Sequence, residues 1–262
     1  MSINKLILGD NLEILKKMED ETVDLIYLDP PFFSNRNYEV IWGDAGEVRS
    51  FQDRWSGGVD HYIMWLSERV EQMHRVLKQT GSIFLHCDWH ADAHIRIKIL
   101  DRIFGENNFR NEIIWGYQWG GVGKQNFARK HDNIYWYCKS DTWIFNEKEM
   151  REPYTTKDKR WHNNKEGKLL RDLWDDVPII NTMSKERIGY PTQKPEALLE
   201  RIIKCASNEG DIVLDPFVGG GTTIAVADKL KRQWIGIDQS VQAVKVTELR
   251  LDKQQSIYNK IA

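Results

Sequence analysis

The 262-residue sequence contains no apolar run approaching roughly 18 residues, which excludes a membrane-spanning helix. Its first residues, Met1-Ser2-Ile3-Asn4-Lys5, lack the pattern of a secretory leader, so a cytoplasmic location is expected. Cysteine is scarce. Cys87, Cys138 and Cys205 are scattered and odd in number, which excludes a disulfide framework or a cysteine zinc site and suits reduced core thiols. His86, Asp88, His90 and His94 lie close together, but His90 and His94 lack the Glu of a zincin pair, so cap and surface roles are expected and no metal. Neither sign of charge is in excess: 37 Lys+Arg against 39 Asp+Glu leave a net charge of −2. Any surface for a polyanion must therefore be local. With 41% hydrophobic and 29% charged residues, the chain fits one ordered α/β domain carrying an insertion.

What is present is organised around residues 23–32, an apolar run that stops at Asp29-Pro30-Pro31-Phe32. Val, Leu, Ile, Tyr and Leu read as a buried parallel strand, and two prolines that cannot donate to a ladder must end it. Asp29 is thus placed at the carboxyl end of a strand, the edge where open α/β sheets bind ligands. Each proline fixes its own φ and restricts the residue before it, so the Asp29 side chain and the Pro30 carbonyl point in preset directions. Two fixed acceptors beside a ring suit a planar amine. The plainer reading is that Asp-Pro-Pro ends a strand and Phe32 is core.

Residues 5–9 read as a short strand, and Gly9-Asp10-Asn11 opens a helix with Asp10 or Asn11 as its cap. Residues 33–59 have no clear period and form a long expected loop. Leu66, Val70, Met73 and Leu77 mark a helix from about residue 60 to 78, ended by Thr80-Gly81. A strand over 81–88 and a helix over 89–104 continue the βαβα pattern. Two further strands, 111–115 and 133–138, flank a glycine-rich, aromatic loop ending at Lys124. Residues 121–171 hold 12 Lys+Arg against 7 Asp+Glu, the one marked basic excess. Basic residues interleaved with aromatics suit a phosphate backbone and unstacked bases, although a solvated charged insertion looks similar.

The second chemical element spans residues 211–223. Strand residues ending at Asp215 are followed by Pro216-Phe217-Val218-Gly219-Gly220-Gly221 and then Thr222-Thr223, which open a helix. A later strand ends at Asp238. Glycines let a backbone approach a ligand closely, and an acid ending the next strand can hold a ribose diol. This pattern signals a nucleoside cofactor without separating a dinucleotide from S-adenosylmethionine.

Taken together, the two elements resemble the amino-methylating DNA methyltransferases, and their order resembles the β group of that family. Asp29-Pro-Pro-Phe32 comes first, the basic block next, and Phe217-Val-Gly-Gly-Gly221 last. Gly9-Asp10-Asn11-Leu12-Glu13, residues 109–115 and Pro191-Thr192-Gln193-Lys194-Pro195-Glu196 extend the likeness over nearly the whole chain, except about 33–59 and 139–175. The resemblance implies a Rossmann-like, circularly permuted α/β fold: a mostly parallel seven-stranded sheet with one antiparallel edge strand and helices on both faces. The chain is then one catalytic domain, 1–262, with a target-recognition region inserted at about 116–188.

By the same resemblance, Asp29, Pro30, Pro31 and Phe32 are catalytic. Asp10, Asn11, Thr192, Lys194, Asp215, Phe217, Gly219, Gly221, Thr222, Thr223 and Asp238 hold S-adenosylmethionine, with Asp10 toward adenine, Asp238 on the ribose and Lys194 near the cofactor carboxylate. Lys124, Arg129, Lys130, Arg151, Lys159 and Arg160 contact DNA. Gly220 stands where many relatives carry Ser or Cys, and Phe32 where Tyr is commoner. The implied reaction is site-specific methyl transfer to adenine N6 of a flipped-out base. Cytosine N4 is the nearest alternative, a non-catalytic cofactor- or DNA-binding subunit is a second, and an RNA or small-molecule methyltransferase a third. Cytosine C5 chemistry needs a thiol nucleophile, and no cysteine follows a proline at a strand end. Besides DNA, the resemblance leaves room for a cognate restriction endonuclease and a homodimer.

Overall fold

The computed structural model describes residues 4–33, 58–118, 123, 125–154, 165–181 and 183–261. One sheet dominates them. Its strands are β1 (Lys5–Leu8), β2 (Val23–Leu28), β3 (Leu77–Cys87), β4 (Phe109–Gly116), β5 (His131–Cys138), β8 (Leu173–Trp174), β9 (Ile212–Asp215), β10 (Gln233–Asp238) and β11 (Asn259–Ile261), in spatial order β11-β1-β10-β9-β2-β3-β5-β4-β8. Seven of these form the expected core, and the short β8 and β11 extend its two edges. Only β5 runs against the others. It lies inside the sheet between β3 and β4, not at an edge as the resemblance implied, because it pairs antiparallel with β4 along its length, as far as Gly116 opposite His131. The strands β6 (Arg151–Glu152) and β7 (Lys168–Leu169) pair separately.

Strand alternation builds two cores. Leu25 and Tyr27 face one side, where α4 (Glu196–Ala206), α5 (Thr222–Lys229) and α6 (Val241–Gln254) bury Leu198, Ile202, Ile224, Val244 and Leu251. Ile26 and Leu28 face the other, covered by α1 (Asn11–Leu15), α2 (Gly58–Val76) and the helical segment 92–104, here α3. The middle of α3, Arg96–Leu100, is π-wound. Residues buried on both faces are what a parallel sheet requires of its strands.

Two boundaries differ from the sequence reading. Helix α2 ends at Val76 and β3 starts at once, so Leu77 begins a strand and Thr80-Gly81 lies inside it. Pairing with β2 accounts for this: Val23 pairs with Leu77, the register then shifts, and Leu25 pairs with Ser82. A methyl on Gly81 would stand 2.6 Å from Leu77 Cγ, so glycine is needed where the strand bulges over that side chain. The region 116–188 is not set apart either, since β5 and β8 belong to the main sheet. The expected loop 33–59 falls, apart from its ends, outside the described residues. Among the described residues no helix is long and apolar enough to cross a membrane.

Candidate active site

Parallel pairing brings the two chemical elements together. Leu25 and Ile26 of β2 pair with Val213 and Leu214 of β9, and Ile235 and Gly236 of β10 pair with Leu214 and Asp215. Asp29, the turn after Asp215, and Asp238 therefore emerge from three neighbouring strand ends. The Asp29 carboxylate is 18% exposed and forms an ion pair with the Lys194 ammonium, itself 12% exposed. The same ammonium lies 5.3 Å from the Phe32 ring centre. The Thr192–Pro195 motif thus reaches Asp29, whereas the resemblance implied a place beside the cofactor carboxylate. Thr192 is exposed, and Pro30 is buried beneath the turn.

Phe32 rests on a buried polar network. Its ring packs 5.9 Å from that of His86. His86 Nδ1 lies 2.9 Å from the Tyr27 hydroxyl and Nε2 lies 3.1 Å from Asp132 Oδ2. The Tyr117 hydroxyl donates to Asp132 Oδ1 at 3.2 Å. Both ring nitrogens of His86 are thus partnered, and Asp132 is held by His86 and Tyr117 together. Burial pushes the Asp132 carboxyl up, but the His86 hydrogen bond and the His86 and Lys194 charges outweigh it and hold it below the usual range. His86 is fully buried, which corrects the cap or surface role expected of it. Asp88 and His90 do pair locally, at 2.6 Å. Among the described residues no cluster suited to a metal occurs.

The glycine turn is equally well determined. Gly219 and Gly221 take φ of +47° and +71°, the left-handed region that favours glycine. Gly219 N–H donates to Asp238 Oδ2 at 2.9 Å, and Ser240 N–H to Oδ1 at 2.9 Å. A methyl on Gly221 would stand 2.7 Å from Thr247 Oγ1, and one on Gly220 would stand 3.2 Å from Tyr190 Cβ and 3.4 Å from Ile188 Cδ1. Tyr190 and Ile188 thus pack closely over Gly220, where many relatives carry Ser or Cys. Phe217 is half-buried against Trp65 of α2, at 5.8 Å.

Several of the expected cofactor residues also brace the site. The Asn11 amide donates to the Pro216 carbonyl at 2.8 Å and accepts from Arg69 Nε at 2.8 Å. The Asp10 carboxylate caps α1 through Leu12 N–H at 2.8 Å and pairs with Arg69 at 3.0 Å. The Thr222 hydroxyl donates to the Lys194 carbonyl at 3.1 Å. Asp215 is buried, accepts from Phe217 N–H at 3.0 Å and is hydrogen-bonded to the Thr223 side chain. Burial is the main cause that raises its carboxyl to about 7; the Thr223 and Phe217 hydrogen bonds oppose this, and the charges of Asp29 and Asp238 add to it.

Sequence reasoning missed Arg69, Asp132, Thr247 and Arg250. Arg250 is buried, donating to the Gly220 carbonyl and Thr222 Oγ1 at 3.1 Å each and to Glu196 at 2.7 Å. Thr247 Oγ1 donates to the Gly219 carbonyl at 3.0 Å. The available signal was polar residues on helix faces otherwise apolar, Arg69 beside Leu66 and Val70, and Thr247 and Arg250 beside Val244 and Leu251.

On the same sheet edge, Arg129 is exposed and its guanidinium lies 3.7 Å over the Trp89 ring. Lys130 is half-buried at the foot of the hairpin. Arg151, by contrast, is 11% exposed, pairs with Glu147 and donates to the Gly167 carbonyl at 2.7 Å. Two of its guanidinium nitrogens thus tie β6 to Glu147 before it and to the turn that opens β7. Lys124, Lys159 and Arg160 lie outside the described residues.

The family model described as DNA methylase, N6_N4_Mtase, matches residues 23–249. The chain belongs to this N6/N4 DNA methylase family. The Type II methyltransferase M.HpaI of Haemophilus parainfluenzae is 34% identical over 259 residues, 98% of this chain and 77% of that protein. The DNA adenine methyltransferase YhdJ of Escherichia coli is 33% identical over 258 residues, covering 94% and 82%. The structure of PvuII DNA methyltransferase, cytosine-N4-specific, superposes with a TM-score of 0.70 at 18% identity over 95% of this chain and 87% of that one. The M1.HpyAVI–SAM complex gives 0.61 at 23% identity, over 95% and 98%. At these identities the two structures establish the fold, and an N4 and a SAM-bound enzyme share it.

Proposed function

We propose that this family member transfers a methyl group from S-adenosylmethionine to the N6 amine of adenine at a specific DNA sequence, on a base turned out of the duplex. The observation that carries the reading is Lys194 on Asp29 beside Phe32. A carboxylate at a strand end faces a nitrogen donor over an aromatic ring, the arrangement a flipped aminopurine requires. A base stacked in a duplex cannot offer its amine in line with a methyl donor.

The residues fit the cofactor. Asp29, Asp215 and Asp238 lie near enough that the first and third raise the second. Carboxylates at these strand ends suit a cationic sulfonium better than a dinucleotide's phosphates, in keeping with the family the chain belongs to. Phe217, Gly219 and Gly221 would line the cofactor, Asp238 would hold its ribose hydroxyls, and Asp10 would face its adenine. When bound, S-adenosylmethionine supplies a methyl group made electrophilic by its sulfonium.

Asp29 and the Pro30 carbonyl accept hydrogen bonds from the two N–H bonds of the target amine, which favours localisation of the lone pair on nitrogen. Lys194 must leave Asp29 for the amine to take its place. Phe32, seated on His86, provides the stacking face. Fixed acceptors and alignment then supply the acceleration without a covalent enzyme intermediate.

The name of YhdJ supports adenine over cytosine, and so does Asp in place of Ser before Pro-Pro. The same site would serve cytosine N4 by the same mechanism. Target recognition is assigned to residues 117–188 apart from their sheet strands, with Arg129 and Lys130 on phosphates. The Type II names of relatives suit a restriction endonuclease reading the same site as the counterpart of this enzyme, in the cytoplasm. Light scattering reads whether two copies associate. Transfer of labelled methyl from S-adenosylmethionine to duplex DNA tests the reading: incorporation into DNA supports it, and none into DNA, or incorporation into RNA alone, refutes it.

A further inference from the structure

Phe127 is 98% exposed, the most exposed large apolar side chain among the described residues. It sits in the hairpin 117–130. Because β3 and β4 both run against β5, β4 runs with β2, and the hairpin extends from the same sheet edge as Asp29. The hairpin is fixed at both feet. Gly116 pairs with His131, Tyr117 N–H donates to the Lys130 carbonyl at 2.8 Å, and the Tyr117 hydroxyl reaches Asp132. Asp132 holds His86, on which Phe32 rests. Arg129 is stacked on Trp89, two residues beyond β3. A ring left in water on so well anchored a loop is not filling a core. Arg129 and Lys130 follow two and three residues on, and residues 125–131 (Gln-Asn-Phe-Ala-Arg-Lys-His) contain no acid.

We propose that Phe127 is the wedge that enters the duplex and fills the gap left by the extruded target base, with Arg129 and Lys130 holding the flanking phosphates. Extrusion costs stacking and pairing, and an apolar ring slid between the neighbouring bases restores part of the lost stacking. The shared network makes the geometry consistent. One hydrogen-bonded relay, Tyr27-His86-Asp132-Tyr117, joins the wall that receives the base to the foot of the segment that replaces it, so wedge and pocket are held in fixed relation. The inference rests on base flipping, as proposed above.

The test uses the full chain and a duplex carrying its own methylation site, read from the DNA of cells that express it. The target adenine is replaced by 2-aminopurine for fluorescence, or is left in place opposite either thymine or an abasic position for turnover. Wild type should brighten 2-aminopurine on binding. Phe127→Ala should lose that rise and about tenfold to hundredfold in kcat/KM on the paired duplex, the scale of one lost base-stacking contact. On the duplex with the abasic partner, where extrusion costs little, it should recover to within about threefold of wild type. Phe127→Trp should stay close to wild type on both. An exposed position leaves folding intact, which circular dichroism confirms. An equal loss on both duplexes, or no loss on the paired one, overturns the wedge. A wild-type protein that methylates without brightening 2-aminopurine overturns base flipping itself, and the wedge with it.

Discussion

Removing the Asp29 carboxylate should separate chemistry from binding. In Asp29→Ala the acceptor that faces the amine is gone, while the glycine turn, Asp238 and the basic hairpin are untouched. Loss of one preorganised electrostatic group costs about 2.7 to 4 kcal/mol in the transition state, so turnover should fall about a hundredfold to a thousandfold. DNA and cofactor affinities should stay within about threefold. The ion pair adds a second, independent magnitude. Removing one partner of a fully buried pair costs about 3 to 5 kcal/mol, and the residual exposure of Asp29 and Lys194, 18% and 12%, lowers the expected loss of folding stability to about 1 to 3 kcal/mol. That loss should be largely relieved by adding Lys194→Met, since the ammonium is then no longer left without its counter-charge. The assays are single-turnover methyl transfer and urea unfolding of the two single variants and the double variant. A folded Asp29→Ala protein that turns over within about tenfold of wild type would refute the assignment. Additive stability losses would show that the ion pair contributes nothing.

Four further outcomes follow from other parts of the structure. Asp238→Ala removes the carboxylate that anchors Gly219, and calorimetry should show cofactor affinity down about tenfold to hundredfold with DNA affinity retained. The raised Asp215 carboxyl, at about 7 in the fold against about 3.9 unfolded, binds more protons folded than unfolded between those values. Wild type should therefore lose stability relative to Asp215→Asn as pH rises from about 4 to 7, by up to about 4 kcal/mol; parallel unfolding curves across that window would contradict this. Arg129→Ala with Lys130→Ala should reduce the slope of log affinity against log salt by up to about 2. Arg151→Ala should leave that slope alone and cost about 1 to 2 kcal/mol of stability, and the opposite pattern would return Arg151 to the DNA surface.

The parallel sheet was legible because its strands are buried on both faces and read as short apolar runs ending in proline, glycine or acid. The strand end at Asp29 was legible for the same reason: Pro30 and Pro31 announce it in the sequence itself. What the pattern does not carry is side-chain pairing across long separations. Nothing near Lys194 indicates that its ammonium lands on Asp29, 165 residues earlier. Nor does the pattern show that the Asp215 carboxylate is buried and accepts from the Phe217 amide. Charge alone does not reveal that Arg151 also holds Glu147 and the Gly167 carbonyl. The antiparallel strand was misplaced at an edge because the hairpin 117–130, rich in glycine and polar residues, gives no periodic signal of where it returns.

The central claim, an adenine amine held by Asp29, is tested most directly by mass spectrometry of nucleosides from DNA incubated with the protein and S-adenosylmethionine. N6-methyladenine should accumulate with wild type and be nearly absent with Asp29→Ala. N4-methylcytosine as the main product, or N6-methyladenine formed equally by both proteins, would contradict the account.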